Sequence, residues 1–134
     1  MHRGLMMIGS LLGAFAVALG AFGAHALKQK LGSDELSVYQ TGVQYQFYHV
    51  FAIFVAASLY GKFHRPALLW AGRFFIGGIL LFSGSLYLMT YFKAFGGPVA
   101  RWLGPITPVG GIFFIVGWLL LGWIVNHGKV QKLE

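Results

Sequence analysis

The chain has 134 residues, of which 57% are hydrophobic and only 10% charged, with a mean hydropathy of +0.72. A soluble domain carries about a quarter charged residues, so the composition describes one integral membrane domain with no room for an appended soluble module. The net charge of +7 does not point to nucleic acid, because the ten Lys and Arg sit at the ends of apolar segments and form no basic stripe. The absence of cysteine removes disulfides and thiolate metal sites.

The first apolar stretch, residues 5–27, is preceded by Arg3 and ends in Ala24-His25-Ala26, which imitates a signal-peptide cleavage site. Its apolar run is about 20 residues, longer than the roughly 7–15 of a signal core, and long enough to span a bilayer. On a helical wheel Gly9, Gly13, Ala16, Gly20, Gly23 and Ala24 form one stripe, widened by Ala14, Ala18 and Ala21, while Ile8, Leu11, Leu12, Phe15, Leu19 and Phe22 cover the other side. Small residues at this spacing let two backbones approach, so the stripe is the expected contact face.

A short polar turn with Gly32 makes the second helix, about residues 36–60, an antiparallel neighbour of the first. Ser33 is placed to cap it, and Asp34 and Glu35 suit the positive end of the helix dipole. Gln40, Thr41, Gln44, Tyr45, Tyr48 and His49 share one half of its wheel with Ala52 and Ala56. Val43, Phe47, Val50, Phe51, Ile53 and Phe54 lie mostly on the other half. Lipid cannot satisfy that polar half, so other segments are expected to cover it.

Pro66 suits the first turn of a third helix over about residues 67–92, in which Gly77-Gly78 and Ser83-Gly84-Ser85 supply small contacts. Arg73 lies one to two turns inside it. Either it reaches outward to the headgroups or it turns inward to carbonyls or an anion. Residues 93–107 form the longest connection, suited to a short interfacial segment, with Arg101 and Trp102 fit for the membrane surface. Thr107 and Pro108 then read as the cap and first residue of a fourth helix over about residues 108–126, with Trp118 deep enough to pack between helices. Four spans place both termini on one side. Arg3, Lys62, Arg65, Lys129 and Lys132 gather there against Lys28, Lys30, Lys93 and Arg101 opposite, a bias toward cytoplasmic termini. The expected fold is all-α, an integral membrane four-helix bundle running up-down-up-down.

Three stretches in order carry a resemblance: Gly20-Ala-Phe-Gly-Ala-His25-Ala-Leu-Lys28, Tyr39-Gln-Thr-Gly-Val-Gln-Tyr-Gln-Phe-Tyr-His49, and Leu103-Gly-Pro-Ile-Thr-Pro-Val-Gly-Gly-Ile-Phe-Phe-Ile-Val-Gly-Trp118. Together they resemble the YgdD-like and YwdK-like small membrane proteins, the domain-of-unknown-function family numbered 423. The resemblance implies a four-helix protein of the bacterial cytoplasmic membrane. It implies no reaction and transfers no catalytic residue.

The chemistry on offer concentrates at Gln40, Gln44, Tyr45, Tyr48 and His49. Three readings stand open: a satisfied polar core, a pocket for a small molecule, lipid headgroup or quinone, and a proton or ion path. The third is weakened because no Asp or Glu lies within the spans. His25 and His49 fall on the order of 10–20 Å apart along the membrane normal, too far to share a metal or haem within one subunit. No metal or cofactor is expected. The hydrolase, metalloprotease and phosphate-loop templates are all missing. The expectation is therefore a non-enzymatic small membrane protein, a homo-oligomer or an accessory to a larger complex, in contact with membrane lipids. The alternative is a transporter or lipophilic-ligand binder using the second helix's polar cluster.

Overall fold

The computed structural model describes residues 1–98 and 100–127. Five α-helices follow in order: α1 (Arg3–His25), α2 (Ser33–Phe63), α3 (Pro66–Gly78), α4 (Gly84–Ala94) and α5 (Leu103–His127). A 3-10 turn, Leu27–Gln29, links the first two, and a π-helical segment, Ile79–Ser83, joins α3 to α4 in one continuous rod, Pro66–Ala94. The chain thus makes four rods, and no strand occurs among the described residues.

The ends of each rod follow from local chemistry. His2 caps α1 by accepting the Leu5 N–H on Nδ1 at 3.1 Å. At the start of α2 the N-cap position is Gly32, and Ser33 is already helical, its hydroxyl turned to Asp34. His64 closes α2 in the left-handed conformation, φ 46°, with its N–H on the Tyr60 carbonyl. Arg65 is extended, as a residue before proline prefers, and Pro66 opens α3. Helix α5 begins at Leu103, ahead of the expected Thr107–Pro108 start. Pro105 fits its first turn, and Pro108 continues the helix despite lacking an N–H. The connection from the third rod is therefore short, with Arg101 and Trp102 exposed on it.

The rods run antiparallel. At one end the His2 N–H donates to the Ala57 carbonyl at 2.9 Å. At the other, Lys93 Nζ meets Glu35 Oε1 at 3.3 Å and Lys30 lies over the Phe95 ring. Rods Arg3–Gln29, Pro66–Ala94 and Leu103–His127 are long and apolar enough to cross a membrane. The second rod is more polar, and it is the hub, touching α1, α3, the π segment and α4. Helix α5 packs on α3, the π segment and α4.

Glycine sets the closeness of these contacts. A Cβ on Gly9 would come within 2.7 Å of Phe54, and one on Gly23 within 2.5 Å of Tyr39. At Gly13 and Gly20 it would meet Val50 and Val43 at an ordinary 3.5 Å. The α1 stripe therefore faces α2, but it meets the half that carries Val43, Val50, Ile53 and Phe54. On the other side of the molecule a Cβ on Gly110 would strike the Phe82 backbone, and one on Gly117 would lie 2.6 Å from Phe75. Those two glycines bring α5 against the third rod. The core between rods holds Leu5, Val50, Ile53, Ala71, Phe75 and Phe114.

Candidate functional site

His49 is an ionisable group buried near the middle of α2, with 4% of its surface exposed. Both ring nitrogens are used. The indole N–H of Trp118, which can only donate, reaches Nε2 at 3.2 Å. Nε2 is therefore the acceptor, the ring proton sits on Nδ1, and Nδ1–H donates to the Tyr45 carbonyl at 2.7 Å. The imidazole lies flat on Phe114, centroids 3.4 Å apart and planes within 7°. Phe114 can approach because Gly78 opposite has no side chain.

Beside His49 opens a groove of about 560 Å³ between α2 and α5. Tyr45, Tyr48 and His49 line it from α2, and Gly111, Phe114, Ile115 and Trp118 from α5, with Phe82 of the π segment completing the lining. Tyr45 stacks on Phe82 with centroids 4.6 Å apart. Tyr48 is 56% exposed and Tyr45 38% exposed. Among the described residues neither hydroxyl has a hydrogen-bond partner, and no carboxylate or cationic side chain lines the groove.

Gln40 and Gln44 are not part of this groove. They line a separate cleft of about 170 Å³ with Gly20, Gly23, Ala24, Tyr39 and Val43, at the α1 edge of α2. A half-wheel of polar residues spans about 180°, and neighbours on two sides divide it. Only Tyr45, Tyr48 and His49 of the expected cluster come together.

The buried polar network that sequence reasoning missed lies on the side facing α1. Gln46 Nε2 donates to the Leu12 carbonyl at 2.8 Å, and its Oε1 accepts the Tyr87 hydroxyl at 2.8 Å. Tyr39 donates to the Leu19 carbonyl at 2.7 Å. The signal was available: Tyr39 and Gln46 are seven residues apart, two helical turns, and answer two carbonyls seven apart on an antiparallel helix.

Arg73 faces outward, its guanidinium 4.8 Å over the Trp70 ring one turn nearer the rod's start, and does not enter the core. His25 bonds back to its own helix, Nδ1 to the Ala21 carbonyl at 2.9 Å. Among the described residues no group of three His, Cys, Asp or Glu could hold a metal ion. Ser85 donates to the Phe82 carbonyl and accepts from Thr107, whereas the buried Ser83 hydroxyl has no partner among the described residues.

Residues 19–111, covering α2, the third rod and the start of α5, match the family model described as "Protein of unknown function (DUF423)". The chain belongs to this family. The DUF423 relatives include the UPF0382 membrane protein YwdK of Bacillus subtilis, 40% identical over 117 residues that cover 87% of this chain and 90% of the relative. The UPF0382 inner membrane protein YgdD of Escherichia coli K12 is 36% identical over 119 residues, 89% of this chain and 86% of the relative. A Staphylococcus aureus UPF0382 membrane protein is 38% identical over 116 residues, 87% and 89%. No solved structure matches this DUF423 chain. Its three long apolar rods and its relatives' names agree that it is an all-α membrane protein.

Proposed function

We propose that this DUF423 protein is a non-enzymatic component of the bacterial inner membrane, working as a homo-oligomer or as an accessory to a larger membrane complex. The observation that carries this reading is the cleft at the α1–α2 edge. There Gln40 and Gln44 present exposed amides beside the small residues Gly20, Gly23 and Ala24. An amide both donates and accepts, and lipid offers it no partner, so a second helix seated on small residues is its natural complement. The uncovered apolar side chains of α1, among them Met7, Leu11, Phe15 and Val17, suit contact with lipid and leave these amides as the surface that asks for a protein partner. The non-enzymatic part of the reading is supported by His49, whose two ring nitrogens are both engaged beside a groove that no carboxylate lines.

Both termini belong on the cytoplasmic side in this reading. His2 lies against Ala57, so Arg3, Lys62 and Arg65 share that face. Lys129 and Lys132, expected to join them, lie outside the described residues.

Native mass spectrometry of the protein released from nanodiscs tests the assembly. The expected result is a defined oligomer or a retained partner that Gln40→Leu/Gln44→Leu dissociates while the protomer keeps its helix content. A bare monomer, or an assembly indifferent to both substitutions, overturns it.

A further inference from the structure

The α2–α5 groove has a shape, a depth and a polarity that together select an occupant. Gly110 and Gly111 are adjacent yet serve different ends. Gly110 is required because a Cβ there would collide with the Phe82 backbone, whereas a Cβ on Gly111 would meet nothing within 4 Å. Helix packing thus does not explain the missing side chain at Gly111. Its bare backbone lines the groove, where a larger side chain would take up open space.

The depth is fixed by the rods. Gly111 to Trp118 lie around the middle of α5, and Phe82 lies near the middle of the Pro66–Ala94 rod. From Trp118 to the near end of α5 is nine residues, about 14 Å. Half of a bilayer's hydrocarbon core is about 15 Å. The groove therefore sits near the midplane, far from headgroup phosphates, and is reached sideways from the acyl chains.

The polarity follows from the lining. Tyr45 and Tyr48 bring two hydroxyl donors without a partner among the described residues, while His49 has no nitrogen to spare. The walls are aromatic faces and no ionised group lines them. Charge complementarity then asks for a neutral molecule with hydrogen-bond acceptors, flat enough to lie along Trp118 and Tyr48. A volume of about 560 Å³ suits one ring system and the beginning of a tail. We propose that this groove binds a lipid-soluble, planar, conjugated carbonyl compound of the quinone class, with its carbonyls on Tyr45 and Tyr48 and its tail in the bilayer. The proposal concerns binding only and involves no electron transfer. It goes beyond the assembly reading: a monomer that binds leaves this proposal standing, and an oligomer that does not bind leaves the other.

The test is tryptophan fluorescence of the full chain in nanodiscs, titrated with a short-chain ubiquinone, with a straight-chain alcohol of similar length as competitor. Wild type should show saturable quenching that Trp118→Phe largely removes and the alcohol does not reverse. Gly111→Leu fills open space, so its thermal transition should hold while its apparent affinity falls about tenfold or more. Tyr45→Phe/Tyr48→Phe should weaken binding by about tenfold through loss of the two donors. Quenching that rises linearly as mere partitioning, or that is equal in wild type and Gly111→Leu, overturns the site. Full competition by the alcohol overturns the ligand class and assigns the groove to acyl chains. Should Gly111→Leu fail to fold, unchanged affinity in the double tyrosine variant overturns the proposal by itself.

Discussion

Gly20 and Gly23 lie one turn apart on α1 and face the same helix, but the residues opposite them make them unequal. Val43 leaves a Cβ at Gly20 an ordinary contact, whereas the Tyr39 ring already occupies that space at Gly23. Gly23→Ala should lower stability by about 1–3 kcal/mol, because Tyr39 must shift and its hydrogen bond to Leu19 with it. Gly20→Ala should be neutral or slightly stabilising, since Ala gains up to ~1 kcal/mol of helix preference over Gly. Thermal unfolding of the two variants in one detergent checks the ranking, and an equal loss in both would refute it. In the sequence the four glycines of the stripe are equivalent by spacing. What separates them is the size of the residue across the interface, which is known only once the register is known. At His49 the sequence gives burial and the i−4 neighbour, but its decisive partners Trp118 and Phe114 come from a helix more than sixty residues away.

At the scale of elements, one side chain ties three rods. Gln46 of α2 donates to α1 and accepts from Tyr87 of α4. Gln46→Leu leaves the Tyr87 hydroxyl without a partner, and Tyr87→Phe leaves the amide oxygen without one. Each alone should cost about 1–2 kcal/mol, and the double variant should cost less than their sum by about 0.5–2 kcal/mol. A double-mutant cycle read by reversible detergent unfolding measures that coupling, and strict additivity would remove the tie. The rods themselves were legible from hydropathy, and the antiparallel order from the short turns. The inner faces of α2 were not. A helix covered on several sides has no single polar edge, so Gln46 fell among apolar residues on the wheel while Gln40 and Gln44 fell outside the groove. The early start of α5 was hidden as well, because Pro105 reads as a breaker though it fits the first turn, and Pro108 reads as a first helical residue though it is tolerated inside.

Across the whole molecule, polar contacts at the two ends hold the antiparallel order, and one of them responds to pH. Glu35 lies in the first turn of α2, where its own backbone N–H and then the Lys93 ammonium hold its carboxyl below the ordinary 4.5. A depressed carboxylate contributes stability above its unfolded value and loses it as pH falls through the folded one. From neutral pH to about pH 3, the wild-type thermal transition should therefore fall further than that of Glu35→Gln, and added salt should shrink the difference. Parallel curves at all pH values would show that the pair contributes nothing. Composition alone made the membrane fold legible, and the resemblance placed the family, because both depend on sums over many residues. The π segment depends on none of these sums and left no sequence signal. Its consequence is one of phase. A π turn holds one residue more than an α turn, so Ile79–Ser83 acts as a spacer that advances everything after it by about 100° around the rod axis. Tyr87 reaches Gln46, and Ser85 reaches Thr107, only with that advance in place. Loss of a single residue there would leave a smooth, fully hydrogen-bonded helix whose far half presents the wrong side to every neighbour.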